Sequence, residues 1–194
     1  MRKYWPIGLA VVLASLALLA GLHSSADEVE AWTMASRYTA RIGFPFFIIA
    51  YVASSLVKIR PSKLTSNFLR ERKYFGLAFA TTHTFHLYAL LTFLAVSPEE
   101  VPLVGLLPGF AVYALIYAMA LTSNRWGYRT LGRKWKWLHT TGMHVVWLAF
   151  ALAYASRIGD PDEATAGLAL FSIAVIALLI RIAAWRVGHS RRHA

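Results

Sequence analysis

FGLAFATTHTFHLYALLTFLAV, residues Phe75–Val96, carries no Asp, Glu, Lys or Arg and includes two histidines, His83 and His86. At ~1.5 Å of rise per residue, a helix of this length crosses the roughly 30 Å hydrocarbon layer of a bilayer. Outward from it lie five more stretches of similar apolar character: Trp5–Leu22, Arg41–Val57, Val101–Thr122, Trp135–Ala155 and Ala164–Trp185. They are continuously apolar, whereas the strands of a membrane barrel alternate in segments of about ten residues, so helices are expected. Composition agrees. The chain is 58% hydrophobic and 15% charged, against about 25% charged in ordinary soluble domains. The 194 residues are therefore read as one transmembrane domain, 1–194. Its fold class is all-α: a polytopic membrane helix bundle of about six transmembrane helices.

The formal charge of +11 acquires meaning from its distribution. Arg2 and Lys3, then Lys58, Arg60, Lys63, Arg70, Arg72 and Lys73, then Arg125, Arg129, Arg133, Lys134 and Lys136, and finally Arg181, Arg186, Arg191 and Arg192 fall at one set of alternate helix ends. Asp27, Glu28, Glu30, Glu99, Glu100, Asp160, Asp162 and Glu163 mark the other set. Basic segments are retained in the cytoplasm, which places both termini and two polar loops, 58–74 and 123–134, on that side. The connections 97–100 and 156–163 on the opposite side are short. A basic face of this kind meets anionic lipid headgroups, so membrane lipid rather than nucleic acid is the expected partner. With no cysteine in the chain, disulfides, thiolate metal sites and cysteine nucleophiles are excluded. The start also resembles a signal peptide, with Arg2-Lys3, an apolar run and the small residues Ser24-Ser25-Ala26; a retained first helix is the preferred reading because the run is long enough to span.

Ionisable groups inside a membrane are costly, which directs attention to the intramembrane histidines. His83 and His86 fall in the third apolar block and His139 and His144 in the fifth, while His23, His189 and His193 lie in flanking segments. A single imidazole at membrane depth is ordinarily a hydrogen-bonded packing group. Four imidazoles confined to two blocks fit a different chemistry, because imidazole is a common axial ligand of haem iron and each side of the porphyrin needs one. Counted from Phe75 and Trp135, His83 lies ~12 Å deep, His86 ~16 Å, His144 ~13 Å and His139 ~6 Å. Depth thus pairs His83 or His86 with His144. At ~100° per residue, His83 and His86 are ~60° apart and His139 and His144 ~140° apart. All four cannot serve one iron. The remainder would bond propionates or the ligand shell, or hold a second haem. No residue is read as catalytic.

The segment Arg72-Lys73-Tyr74-Phe75-Gly76-Leu77 with His86 ten residues after Gly76, and the stretch Leu121-Thr122-Ser123 followed by Leu131-Gly132 and Trp135-Lys136-Trp137-Leu138-His139, resemble a known pattern. Arg41-Ile42-Gly43 and Lys58-Ile59-Arg60-Pro61 fit it loosely. The pattern is that of the ferric-reductase-like transmembrane domain family, and within it of the haem-binding membrane subunits of periplasmic methionine sulfoxide reductase systems. The resemblance covers roughly residues 38–155. It implies a multi-pass protein of the bacterial inner membrane that binds haem b, with one haem favoured and two possible. It also implies an oxidoreductase system in which electrons arrive from a cytoplasmic flavin reductase or from quinol and leave toward an external redox partner protein or metal acceptor. By position it favours His86 and His139 as iron ligands, beside the depth argument for His144. The family commonly places a further histidine about thirteen residues after the first on the fifth helix, where this chain has Leu152. Flavin is expected only through a partner, since the chain has no Gly-rich strand–turn–helix fingerprint; quinone is a possible second cofactor. The alternative is a membrane protein without redox chemistry, such as a small transporter, assembly factor or scaffold that keeps the fold without haem.

Overall fold

The computed structural model describes residues 3–99 and 101–193, with side chains as far as Ser190. The charges expected on Arg2, Glu100, Arg191 and Arg192, and the flanking His193, lie outside what is described. The described chain forms α1 (Trp5–Leu22), α2 (Glu28–Ile59), α3 (Lys63–Val96), α4 (Leu103–Leu121), α5 (Arg125–Leu131), α6 (Arg133–Ala155) and α7 (Ala164–His193). Among the described residues there is no strand. α1, α2, α3, α4 and α7 are each long and apolar enough to cross a membrane, and the protein is an all-α, multi-pass membrane protein. α6 matches them in length at 23 residues. Its first half carries His139, Thr140, Thr141, Gly142 and His144, and that polarity keeps it below the apolarity of the other five.

The segments 58–74 and 123–134, expected as loops, are largely helical. α2 ends at Ile59 and α3 begins at Lys63, leaving Arg60-Pro61-Ser62 between them. Pro61 cannot continue a helix ladder, and Ser62 and Thr65 cap the restart reciprocally: Ser62 N donates to Thr65 Oγ1 at 2.9 Å and Thr65 N to Ser62 Oγ at 3.2 Å. From there Lys, Leu, Arg and Glu are good helix formers, so α3 runs on as a polar helix before its apolar part starts. In 123–134, Asn124 accepts from Gly127 N at 2.8 Å and starts α5. Gly132, at φ +51°, separates α5 from α6, a backbone conformation that a Cβ would oppose. At the start of α2, Asp27 accepts from Glu30 N at 2.8 Å, and Glu28 and Glu30 occupy the first turn while Lys58 occupies the last. That polarity follows the helix dipole and matches the sorted charge.

Two compact units result: Met1–Phe47 with Lys73–Ala111, and Ile48–Arg72 with Val112–Ala194. In the first, α1 presents a small-residue face, Ala10, Ala14, Ala17 and Gly21, all buried. Gly21 lies so close to Ala35 of α2 that a Cβ there would strike its backbone, the close approach by which small residues drive association where lipid supplies no hydrophobic force. Tyr4 and Trp5 make edge contacts with Tyr74 and Phe75, at 5.3 and 5.7 Å between ring centroids. The starts of α1 and of the apolar part of α3 are therefore level, as the alternating charge pattern requires. In the second unit the short turn 156–163 returns α7 antiparallel to α6, and Trp147 Nε1 donates to Ala174 O at 2.9 Å.

Candidate functional site

The four histidines divide between the units, and each pair is built differently. In the first unit α3 carries His83 and His86, and the part of α2 before Ile48 packs against them. His83 is buried, at 6% exposure. Its ring lies 4.2 Å from that of Phe79, one turn earlier, and Phe79 in turn packs on Phe47 at 5.2 Å. Gly43 of α2 faces His83: a Cβ there would come within 2.5 Å of Cε1 and 2.6 Å of Nδ1. The absence of a side chain at Gly43 is thus what admits an imidazole between the two helices. His86 meets His83 edge to face at 5.5 Å, as their ~60° angular separation on the helix requires. Its Nδ1 lies 3.4 Å from Ser36 Oγ on α2, a long contact of the kind that orients a ring and biases its tautomer.

In the second unit the sequence motif closes on itself. Thr122 Oγ1 donates to Ala118 O at 2.6 Å, so its oxygen is the acceptor for His139 Nε2 at 3.2 Å. The same residue's carbonyl accepts from Trp135 Nε1 at 2.8 Å, and the indole stacks on His139 with 4.1 Å between centroids and 25° between planes. Thr122, Trp135 and His139 are therefore one constellation. Gly127 completes it by letting α5 approach the Thr122 backbone, since a Cβ there would lie 2.5 Å from Thr122 O. In this tautomer the His139 proton sits on Nε2 and the unshared pair on Nδ1.

His144 has both nitrogens engaged. Nδ1 lies 3.0 Å from Tyr51 Oη and Nε2 3.3 Å from an Arg181 amine. Because a guanidinium only donates, Nε2 accepts and Nδ1–H donates to the Tyr51 oxygen. Arg181 also donates to Tyr51 O at 2.7 Å and lies over the Tyr51 ring at 4.4 Å. Arg72, on the polar part of α3, donates through Nε to Ala50 O at 2.8 Å. Burial, and then the Arg181 charge, push the Arg72 guanidinium below its ordinary pKa. The charge pattern places Arg72 and Arg181 among the cytoplasmic charges, and nothing in the sequence singles out Tyr51. The signal for Arg181 was its place four residues inside an apolar block, where a charge needs a partner.

The donor set suits haem better than a bare ion. Among the described residues no group of three or more His, Cys, Asp or Glu side chains comes together to hold a metal, whereas iron already held by a porphyrin needs only one or two imidazoles. Gly43 leaves room for an imidazole against α2, and Ser36 and Thr122 each place a hydroxyl within reach of a ring nitrogen, of His86 and His139 respectively.

No protein-family model matches the chain, and no solved structure matches it. Curated relatives do. It is 27% identical over 125 residues to the protein-methionine-sulfoxide reductase heme-binding subunit MsrQ of Enterobacter sp. (strain 638), over 57% of this chain and 61% of that protein. It is 35% identical over 79 residues to the protein of the same name from Bordetella pertussis, over 40% of this chain and 37% of that one, and the Bordetella parapertussis protein gives the same figures. The chain spans less than two thirds of the length of the relatives it matches, so what it shares with them is a partial likeness to haem-binding membrane subunits.

Proposed function

We propose that this protein is a haem-binding membrane subunit of a redox relay, a reading supported by its relatives, which are named heme-binding subunits of protein-methionine-sulfoxide reductase. The observation that carries the reading is the placement of its membrane-level histidines: they occur on α3 and α6, and His86, His139 and His144 each have a ring nitrogen set against a hydroxyl from outside their own helix and within the same unit. In the first unit we assign ligation to His86, oriented through Nδ1 by Ser36, with His83 as the packed neighbour that fixes its approach. In the second we assign it to His139, whose ring is held by Thr122 and Trp135. His144 holds Arg181 and Tyr51 instead. Haem b would supply a one-electron couple; these residues hold it, orient it and keep water from it. The chain's basic helix ends would face the cytoplasm of a bacterial cell, where a flavin reductase, or quinol within the membrane, would deliver electrons bound for an external acceptor.

The test is an absorption spectrum of the protein expressed with ample haem, before and after dithionite. A Soret band and a reduced α-band that weaken in His86→Ala and in His139→Ala are expected. Absence of both bands from the wild-type protein sinks the proposal in favour of a membrane protein without redox chemistry, and bands that survive all four histidine substitutions misplace the site.

A further inference from the structure

Arg72 and Arg181 form a pair of half-buried cations, and among the described residues neither is bonded to a carboxylate. What they hold are main-chain oxygens of consecutive residues of α2, Ala50 and Tyr51, together with the neutral face of His144. Each guanidinium keeps donors over. Arg72 has spent Nε and retains its two amines; Arg181 has spent one donor from each amine and retains Nε. Two like charges that sense each other in a partly desolvated place are unfavourable alone, and the unspent forks are shaped for a tetrahedral oxyanion, which takes two or more parallel N–H bonds. The pair sits toward the basic ends of its helices: Arg72 is three residues before Phe75 and Arg181 four before Trp185, about one turn each. Beside Arg181 on α7, Leu179, Ile182 and Trp185 are exposed, an apolar strip along which acyl chains can lie.

We propose that Arg72 and Arg181, braced by Ala50, Tyr51 and His144, form a binding site for a phosphate group, supplied by an anionic phospholipid of the basic-side leaflet. The site neutralises two charges to which no described carboxylate is bonded, and it ties the polar part of α3 and the end of α7 to α2. It does not depend on the haem assignment, because His144 and Tyr51 serve here as supports for a cation.

The full-length protein, purified in non-ionic detergent and stripped of lipid, is titrated with phosphatidylglycerol, phosphatidylcholine and inorganic phosphate while its thermal midpoint is followed, and bound lipid is counted by native mass spectrometry. Phosphatidylglycerol is expected to raise the midpoint at concentrations at least tenfold lower than phosphatidylcholine. Arg181→Gln and Arg72→Gln should each weaken that response tenfold or more, while Lys136→Gln, at an exposed cation, should leave it intact. A response of equal size to inorganic phosphate, lost in Arg181→Gln, upholds the phosphate site with a soluble source. If the arginine variants do not fold, the wild-type lipid count decides: no retained phospholipid and no shift with either phosphate source overturns the proposal. It is equally overturned if the response vanishes when haem is loaded, which would give the two arginines to haem carboxylates.

Discussion

The two histidine pairs differ in what restrains them. Around His83 and His86 shape is prominent: a glycine faces one ring, aromatic rings lie against it, and Ser36 makes a long contact with the other. His139 and His144 are placed by hydrogen bonds, through Thr122, Tyr51 and Arg181, with a tautomer defined in each case. The hydrogen bonds at His139 and His144 decide beforehand which ring nitrogen carries the proton. Of the four, His144 is the most committed, since a metal could reach neither nitrogen without displacing a phenol or a guanidinium.

The comparison breaks most sharply on haem retention. His86→Ala should lower bound haem by roughly tenfold or more, the scale on which loss of a ligand or its close support reduces affinity, and the reduced α-band should fall with it. His144→Ala should keep the α-band within about twofold, because the side chain removed supports Arg181. Pyridine haemochrome content of the two variants, normalised to folded protein, checks both. If His144→Ala loses haem as fully as His86→Ala does, hydrogen-bond commitment is no guide to ligation and the depth pairing read from the sequence regains its place.

A second contrast lies in the glycines. At Gly43 a Cβ would run into the His83 ring and the Thr82 hydroxyl, both on a buried stretch of α3 with aromatic rings behind. At Gly142 of α6 a Cβ would meet Met119 Sδ at 2.7 Å and Cε at 3.1 Å, the far end of an unbranched side chain that can swing away. Gly43→Ala is therefore expected to destabilise by about 1–3 kcal/mol, as overpacking does, and Gly142→Ala by less than about 1 kcal/mol. Denaturant titration in mixed micelles measures both. Equal losses would mean that the imidazole of His83 yields as easily as a thioether, and that the Gly43 cradle is not tight.

How far these features could be read beforehand depends on the physics that carries them. Trp5–Leu22 coincides with α1 because hydrocarbon thickness sets the length of a span and apolarity reports it directly. Lys63–Lys73 and Arg125–Leu131 look like loops in the sequence because they are polar, although a helix needs no apolar face where it leaves the membrane. Ser62 and Thr65, Asn124 and Gly132 were the available boundary signals. The candidate site was legible as residue types, His83, His86, His139 and His144, and in one case as a motif: Thr122, Trp135 and His139 do meet. The contacts of Tyr51 with His144, Ser36 with His86 and Arg181 with His144 are not legible, since they join residues 93, 50 and 37 positions apart and no local period encodes such contacts.

The finest separation between the two modes of restraint lies in the hydroxyl partners. Thr122→Val keeps the shape of the side chain and removes the acceptor of His139 Nε2. Polar bonds between membrane helices average about 0.6 kcal/mol, so a loss of about that size is expected, with a change in the ring's hydrogen-bond signature in nitrogen NMR. Ser36→Ala removes a contact already stretched to 3.4 Å and should cost still less, since hydrogen bonds weaken with length. Its visible effect should be on the bound haem, as a small shift in midpoint potential, because the acceptor that a ligand imidazole's far N–H donates to alters the basicity of the near nitrogen. A shift in Thr122→Val with none in Ser36→Ala would move the ligand assignment toward His139, and the reverse would move it toward His86. The mildest pair of substitutions thereby discriminates between the two units without removing a histidine from either.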